Sequence, residues 1–146
     1  MAADPVFVDT NVLIYVTRRT ASEHAAAQAA LARLEGEGRA LWISVQILRE
    51  YLAVVTRPQA TSLPLPMGTA IADAQRFQQV FQVAEDRPAV FDRLLALLGA
   101  KFGAGRQVHD TNIVATMLEH GIYRLLTFNA ADFRRFAGII QLEPPQ

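Results

Sequence analysis

The stretch Pro5-Val6-Phe7-Val8-Asp9-Thr10-Asn11 decides how the rest of the chain is read. Its apolar run is short and continuous, the pattern of a parallel strand buried on both faces. The run ends on a carboxylate, Asp9, and the chain then turns helical over residues 11–17. Working outward, the same alternation recurs. Thr20 and Glu23 have capping-box spacing ahead of an alanine-rich helix that Gly36 and Gly38 close. Residues 40–43 read as a second strand, after which Ser44 can cap a helix over 45–57 that Pro58 ends. Residues 59–68, with Pro64 and Pro66, read as a loop between helical arms, followed by a helix over 69–79 and a strand over 80–83. Asp86 and Pro88 open a helix to residue 102, which Gly103 and Gly105 stop. A helix over 110–120, a strand over 124–128, a short helix over 130–136 and a strand over 139–142 complete the chain. Strands alternating with helices predict an α/β fold, a mainly parallel central sheet of four to five strands flanked by helices on both faces. Ligands of such sheets sit outside the carboxyl ends of the strands. The residues that follow each strand are therefore where chemistry is to be sought.

Composition narrows the function classes. The 146 residues, half of them apolar, are expected to form one domain, 1–146, with a core large enough to need no disulfides. No apolar stretch approaches the roughly 18–20 residues that cross a bilayer; the richest, 94–98, is interrupted by Ala96 and ends at Gly99. Residues 1–5 carry neither the basic nor the apolar region of an export signal. Cysteine is absent, which excludes disulfides and thiolate metal sites and fits a cytoplasmic protein. Basic and acidic residues balance at 14 each, against a protein that coats nucleic acid non-specifically. Lys101 is the only lysine. The arginine bias suits phosphate recognition and is equally what a GC-rich genome produces.

Several acids stand where the fold puts ligands. Asp9 ends the first strand, where it either caps the following helix or projects from the sheet edge as a ligand. Asp110 begins a helix whose apolar residues are Ile113, Val114, Met117 and Leu118, so it heads the buried stripe itself. An inward carboxylate is costly unless it is paired, bound to a metal or capping the helix. Glu50 lies on the 45–57 helix, whose core face by periodicity is Val45, Leu48, Leu52 and Val55. Glu50 falls off that face with Gln46 and Ala53, as a solvated glutamate would. Asn129 and Asp132 follow the fourth strand with the spacing of a helix cap and its third residue.

The run Val8-Asp9-Thr10-Asn11-Val12-Leu13-Ile14 resembles the opening motif of PIN-domain nucleases. His109-Asp110-Thr111-Asn112-Ile113-Val114-Ala115, followed by Leu125-Leu126-Thr127-Phe128-Asn129-Ala130-Ala131-Asp132-Phe133, is similar to the closing half of VapC-type toxins. "Asp-Thr-Asn" alone is weakly specific; the blocks in this order, with a helical glutamate between them, are strongly so. The resemblance implies that Asp9, Glu50 and Asp110 form the acidic core of a catalytic and metal-binding site. It thereby overrides the periodicity reading of Glu50. Thr10, Asn11 and Thr127 are implied as supporting residues. Where many relatives carry a fourth acid this chain has Asn129, with Asp132 one helical turn later, and a second metal position is left open.

Three clustered carboxylates require a compensating cation. All-oxygen donors select Mg2+ or Mn2+, which would polarise a phosphodiester and activate water. The function this implies is a metal-dependent endoribonuclease, the toxin of a toxin–antitoxin pair, with an RNA substrate, a small antitoxin partner and a homodimeric state. The exposed apolar residues of helices 48–55 and 71–81 are the expected contact surfaces. His24 and His120 read as surface residues and His109 as a neighbour of the site. A receiver-like phosphoacceptor module is the alternative of a different class, but it needs a lysine beside the acids. Lys101 falls inside a predicted helix, far from a strand end. A non-catalytic scaffold of the same fold is the third reading.

Overall fold

The computed structural model describes residues 3–60, 62–100 and 103–145. In chain order the elements are β1 (Val6–Val8), α1 (Thr10–Thr17), α2 (His24–Gly36), β2 (Leu41–Ser44), α3 (Val45–Thr56), α4 (Met67–Val80) and β3 (Gln82–Ala84). They continue with α5 (Pro88–Gly99), α6 (Gln107–Glu119), β4 (Arg124–Leu126), α7 (Ala130–Phe133), a 3-10 turn (Arg134–Phe136) and β5 (Gln141–Glu143). All five strands are parallel, in the order β3-β2-β1-β4-β5. The chain steps from β1 through β2 to β3, then crosses to the far side of β1 and continues through β4 to β5. Right-handed crossovers in opposite directions put the helices of the two halves on opposite faces. They also open a crevice at the carboxyl ends of β1 and β4, where the strand order reverses.

Val6, Phe7 and Val8 are fully buried, as a central strand covered on both faces requires. In the β1–β4 register Val8 pairs with Leu126, and the Asp9 amide donates to the Leu126 carbonyl at 3.0 Å. Asp9 and Thr127, each the first residue past its strand, therefore leave the sheet side by side. At its far end α6 stops in a Schellman motif. Gly121 takes φ +68°, its amide donates to the Leu118 carbonyl at 3.1 Å, and the Ile122 amide donates to the Met117 carbonyl at 2.8 Å.

Several element boundaries differ from the sequence reading. Helix α2 begins at His24 with no side-chain cap, so Thr20 and Glu23 do not form the capping box. Helix α4 starts earlier, at Met67, and runs to Val80, leaving β3 to residues 82–84. Helix α5 ends at Gly99, and Lys101 and Phe102, on which its predicted end and the receiver-like alternative bear, lie outside the described residues. Helix α6 begins at Gln107, so Asp110 sits inside its first turn and is not the cap. His24 and His120 are half-buried, with each Nδ1 2.8 Å from a backbone carbonyl, of Tyr15 and Thr116 respectively. Among the described residues no helix is long and apolar enough to cross a membrane.

The largest shift concerns α3, whose buried face is Ile47, Leu48, Tyr51 and Val55. At about 100° per residue this stripe is rotated by about 60° from the one through Val45 and Leu52. Tyr51 explains the rotation. It is fully buried, its ring meets Phe77 of α4 edge-on with centroids 5.0 Å apart, and its hydroxyl donates to Asp73 Oδ2 at 2.8 Å. The same hydroxyl lies 3.0 Å from Thr17 Oγ1 at the end of α1. Asp73, 5% exposed, is further paired with Arg76. Tyr51 thus takes the buried position on α3, and Val45 is left exposed.

Tyr51→Phe is expected to lower stability by about 1–3 kcal/mol, because it strips a donor from a buried carboxylate. Urea unfolding at unchanged slope measures this. A midpoint matching the parent's would show the hydroxyl to be idle.

Candidate active site

Asp9 occupies the N-cap position of α1, with extended backbone, and its Oδ1 accepts from the Thr10 amide at 2.7 Å. Capping thus accounts for one oxygen only. Oδ2 accepts from Thr127 Oγ1 at 2.8 Å and from Asn11 Nδ2 at 3.1 Å. Asn11 closes the arrangement, its Oδ1 accepting from the Phe128 amide at 3.0 Å. Thr127 is buried, and its hydroxyl also accepts from the Asn129 amide at 3.0 Å. The ends of β1 and β4 are thereby stitched together around one carboxylate, which is only 6% exposed. Burial pushes the Asp9 pKa up from 3.8 to about 6; the Thr127 and Thr10 donors oppose that rise, and the charges of Glu50 and Asp110 add to it.

Glu50, half-buried because of the rotated α3 face, is held at both oxygens. Thr10 Oγ1 donates to Oε2 at 2.8 Å and Gln46 Nε2 donates to Oε1 at 3.0 Å. Asp110, also half-buried, approaches from the first turn of α6. Its pKa is raised first by burial and next by the charge of Asp132, with Glu50 adding to the effect and Arg135 and His109 opposing it. Asp132 and Asn129 are exposed on and before α7, and Asn129 makes no side-chain cap bond, so the capping pair read from their spacing does not form.

These residues line one cleft of about 370 Å³ at the carboxyl edge of the sheet, with Asp9, Thr10, Glu50, Asp110, Asn129 and Asp132 on its walls. Arg57, at the end of α3, lines it as well. A separate apolar groove of about 490 Å³ runs between α1, α2 and α4, away from these acids. Among the described residues none of Asp9, Glu50 and Asp110 forms a salt bridge. The contrast is Glu143, the last residue of β5, which is buried and paired with Arg39 at 2.7 Å and with Arg124 at 3.4 Å. The chain pairs its other buried acids, Asp73 and Glu143, with arginine, whereas Asp9, Glu50 and Asp110 have no such pairing among the described residues. The donor chemistry, all oxygen and anionic, fits a hard divalent cation. Among the described residues, however, no three acidic or histidine side chains stand close enough together to form a ready-made cage.

A family model for the PIN domain matches residues 6–139, a span that includes every residue of the cleft. The chain belongs to the PIN-domain family. It is 28% identical over 132 residues to Ribonuclease VapC24 of Mycobacterium tuberculosis, covering 88% of this chain and 89% of that one. Its fold is similar to that of VapBC2 from Rickettsia felis, solved on a DNA fragment from its promoter, with a TM-score of 0.68 at 16% identity. That match covers 95% of this chain and 97% of that one. It is similar too to Mycobacterium tuberculosis VapC20, a toxin that cleaves the sarcin–ricin loop, with a TM-score of 0.67 at 20% identity, over 92% of this chain and 96% of that one. This PIN domain thus carries the sheet and flanking helices expected from its strand–helix alternation. The family match sets aside the receiver-like alternative.

Sequence reasoning missed Gln46 as part of the site. The signal available was its place four residues before Glu50, on the same face of α3.

The raised pKa of Asp9 makes stability depend on pH with a definite sign. Between about 4 and about 6 the folded state holds more protons than the unfolded one, so stability falls as pH rises through that range. At neutral pH the ionised Asp9 therefore costs the folded protein stability that protonation restores. Melting curves in EDTA are expected to shift upward from pH 7 to pH 5, and Asp110→Asn is expected to melt above the parent at pH 7. A mutant melting below the parent in EDTA would mark Asp110 as a structural partner in place of a strained acid.

Proposed function

We propose that this PIN domain is a divalent-metal-dependent endoribonuclease acting as the toxin of a toxin–antitoxin pair. The observation that carries the reading is the set Asp9, Glu50 and Asp110, unanswered by any salt bridge among the described residues, lining one cleft at the strand-order switch. The curated relative is named a ribonuclease and the VapC20 neighbour is a toxin that cleaves RNA. The three acids are the residues that would hold Mg2+ or Mn2+. When bound, such an ion polarises the scissile phosphodiester and lowers the pKa of a water for in-line attack.

The chain's own residues do the positioning. A carboxylate oxygen accepts about two hydrogen bonds, so Asp9 Oδ2, with Thr127 and Asn11 on it, is filled, while Oδ1 keeps room for one more partner. Each oxygen of Glu50 has one donor, from Thr10 or Gln46, and likewise keeps capacity. Thr10, Asn11 and Thr127 therefore orient the acids and leave selected lone pairs for a ligand. Arg57, exposed on the cleft wall, is placed to meet a phosphate of the RNA backbone. Asp132 acts on Asp110 through its charge, and Asn129 stands in for a fourth acid without supplying one.

The partners follow from the same reading: a small antitoxin and a second copy of the chain. The apolar groove lined by Leu13, Val16, Leu31, Phe77 and Phe81 suits an antitoxin helix. The contact surfaces expected from sequence need correcting, because Leu48, Tyr51, Val55 and Phe77 are core; Met67, Ile71 and Val80 are the large exposed apolar residues on α4.

RNA cleavage by purified protein is expected to require Mg2+ or Mn2+ and to stop in EDTA. Asp9→Asn, Glu50→Gln and Asp110→Asn are expected to lose activity entirely, and Asn129→Ala at most about a hundredfold. Undiminished cleavage in excess chelator, or an Asp132→Ala protein as inactive as Asp9→Asn, would overturn the assignment. Light scattering is expected to give a dimer. A monomer at high concentration would remove the dimeric part of the proposal.

A further inference from the structure

We propose that Gln46 is a positioning residue that ties the α3 acid to the α6 acid and so sets the width of the metal site; the proposal rests on the metal-dependent reading above. Gln46 lies on α3 one turn before Glu50. Its Nε2 donates to Glu50 Oε1 at 3.0 Å and to the His109 carbonyl at 3.0 Å, and its Oε1 accepts from Asn112 Nδ2 at 2.7 Å. Both amide protons and the carbonyl are thus used. The two residues it holds on α6, His109 and Asn112, bracket Asp110.

The orientation of the amide is fixed by its neighbours. Turned over, it would set a carbonyl oxygen against the Glu50 carboxylate and the His109 carbonyl, and an amino group against the Asn112 amino group. No alternative assignment satisfies all three partners. Physically, the link opposes a repulsion, because Glu50 and Asp110 line the same cleft as like charges. Nothing else that bonds directly to Glu50 among the described residues reaches α6, since its other donor, Thr10, belongs to α1. One neutral side chain therefore couples two anionic ones across a helix–helix gap. This is the role of an outer residue that orients a ligand without touching the ion.

The test is Mn2+ titration by calorimetry on the full chain, in parallel with melting curves in EDTA. The proteins are the parent, Gln46→Met, Asn112→Ala and Glu50→Gln. Methionine keeps the volume of glutamine and removes its hydrogen bonds. Gln46→Met is expected to weaken Mn2+ binding roughly tenfold while melting within a few degrees of the parent, and Asn112→Ala to weaken binding less, in the same direction. If Gln46→Met does not fold, Asn112→Ala carries the test alone. A residue that merely joins two helices would lower the melting temperature and leave the Mn2+ affinity of the folded protein unchanged. That result, alongside weakened binding in Glu50→Gln, overturns the role of Gln46 and leaves the metal site standing. Unchanged binding in Glu50→Gln overturns the metal site itself and this proposal with it.

Discussion

The 2.8 Å hydrogen bond from Thr127 Oγ1 to Asp9 Oδ2 is where the fold and the chemistry meet. A carboxylate that is 6% exposed is tolerated only when donors surround it. Here the donors come from the α1 backbone, from Asn11 and from the residue after β4. The first two are local to Asp9, whereas the Thr127 bond depends on β1 and β4 lying parallel with Val8 opposite Leu126, and the Phe128 amide ties Asn11 to the same register. A one-residue slip would turn Thr127 to the other face of the sheet and leave Asp9 without that partner. The register is thus protected from two sides, by the apolar burial of β1 and β4 and by the cost of an unsatisfied acid.

From that point the polar contacts spread in a chain. Thr10, next to Asp9, holds Glu50; Gln46 holds Glu50 from its other oxygen and reaches α6, where Asp110 sits. Strand, helix and helix are bound in sequence, so the three acids are placed by elements whose own positions are set by core packing. Tyr51, next to Glu50 and about a quarter-turn round α3, contributes through its bond to buried Asp73, which fixes the rotation that brings Glu50 to the edge of the core. Stability is drawn on to build the cleft: burial raises the pKa of Asp9 to about 6 and that of Asp110 as well.

Much of this was legible in the sequence, for physical reasons that can be named. The apolar run ending at Asp9, the glycine at 121 and the serine at 44 are local signals, and the structure uses them locally; Ser44 Oγ accepts from the Ile47 amide at 3.3 Å. What was not legible depends on tertiary partners. Periodicity put Val45 and Leu52 on the core face of α3 because it scores hydrophobicity alone. Tyr51 won its place through a carboxylate 22 residues away in the chain, a contact no local window contains. Asp110 reads from sequence as either a helix cap or a ligand, because the apolar stripe starts after it; the helix in fact begins at Gln107, and the cap alternative disappears. Glu50 was identified only through resemblance, since half-burial at the edge of a rotated stripe has no sequence signature.

The fourth acidic position follows a different logic. Asp9 and Glu50 are each held by side-chain or backbone donors, whereas Asn129 and Asp132 are exposed at the start of a four-residue helix, and Asn129 makes no cap bond. An acid on such a short helix meets water at little cost, so it need not be restrained and exerts little pull on the fold. Its charge still reaches Asp110, as the second cause of that residue's raised pKa. Asp9 and Glu50 therefore enter the cleft with their oxygens held by hydrogen bonds, whereas Asp132 enters it from the solvent side.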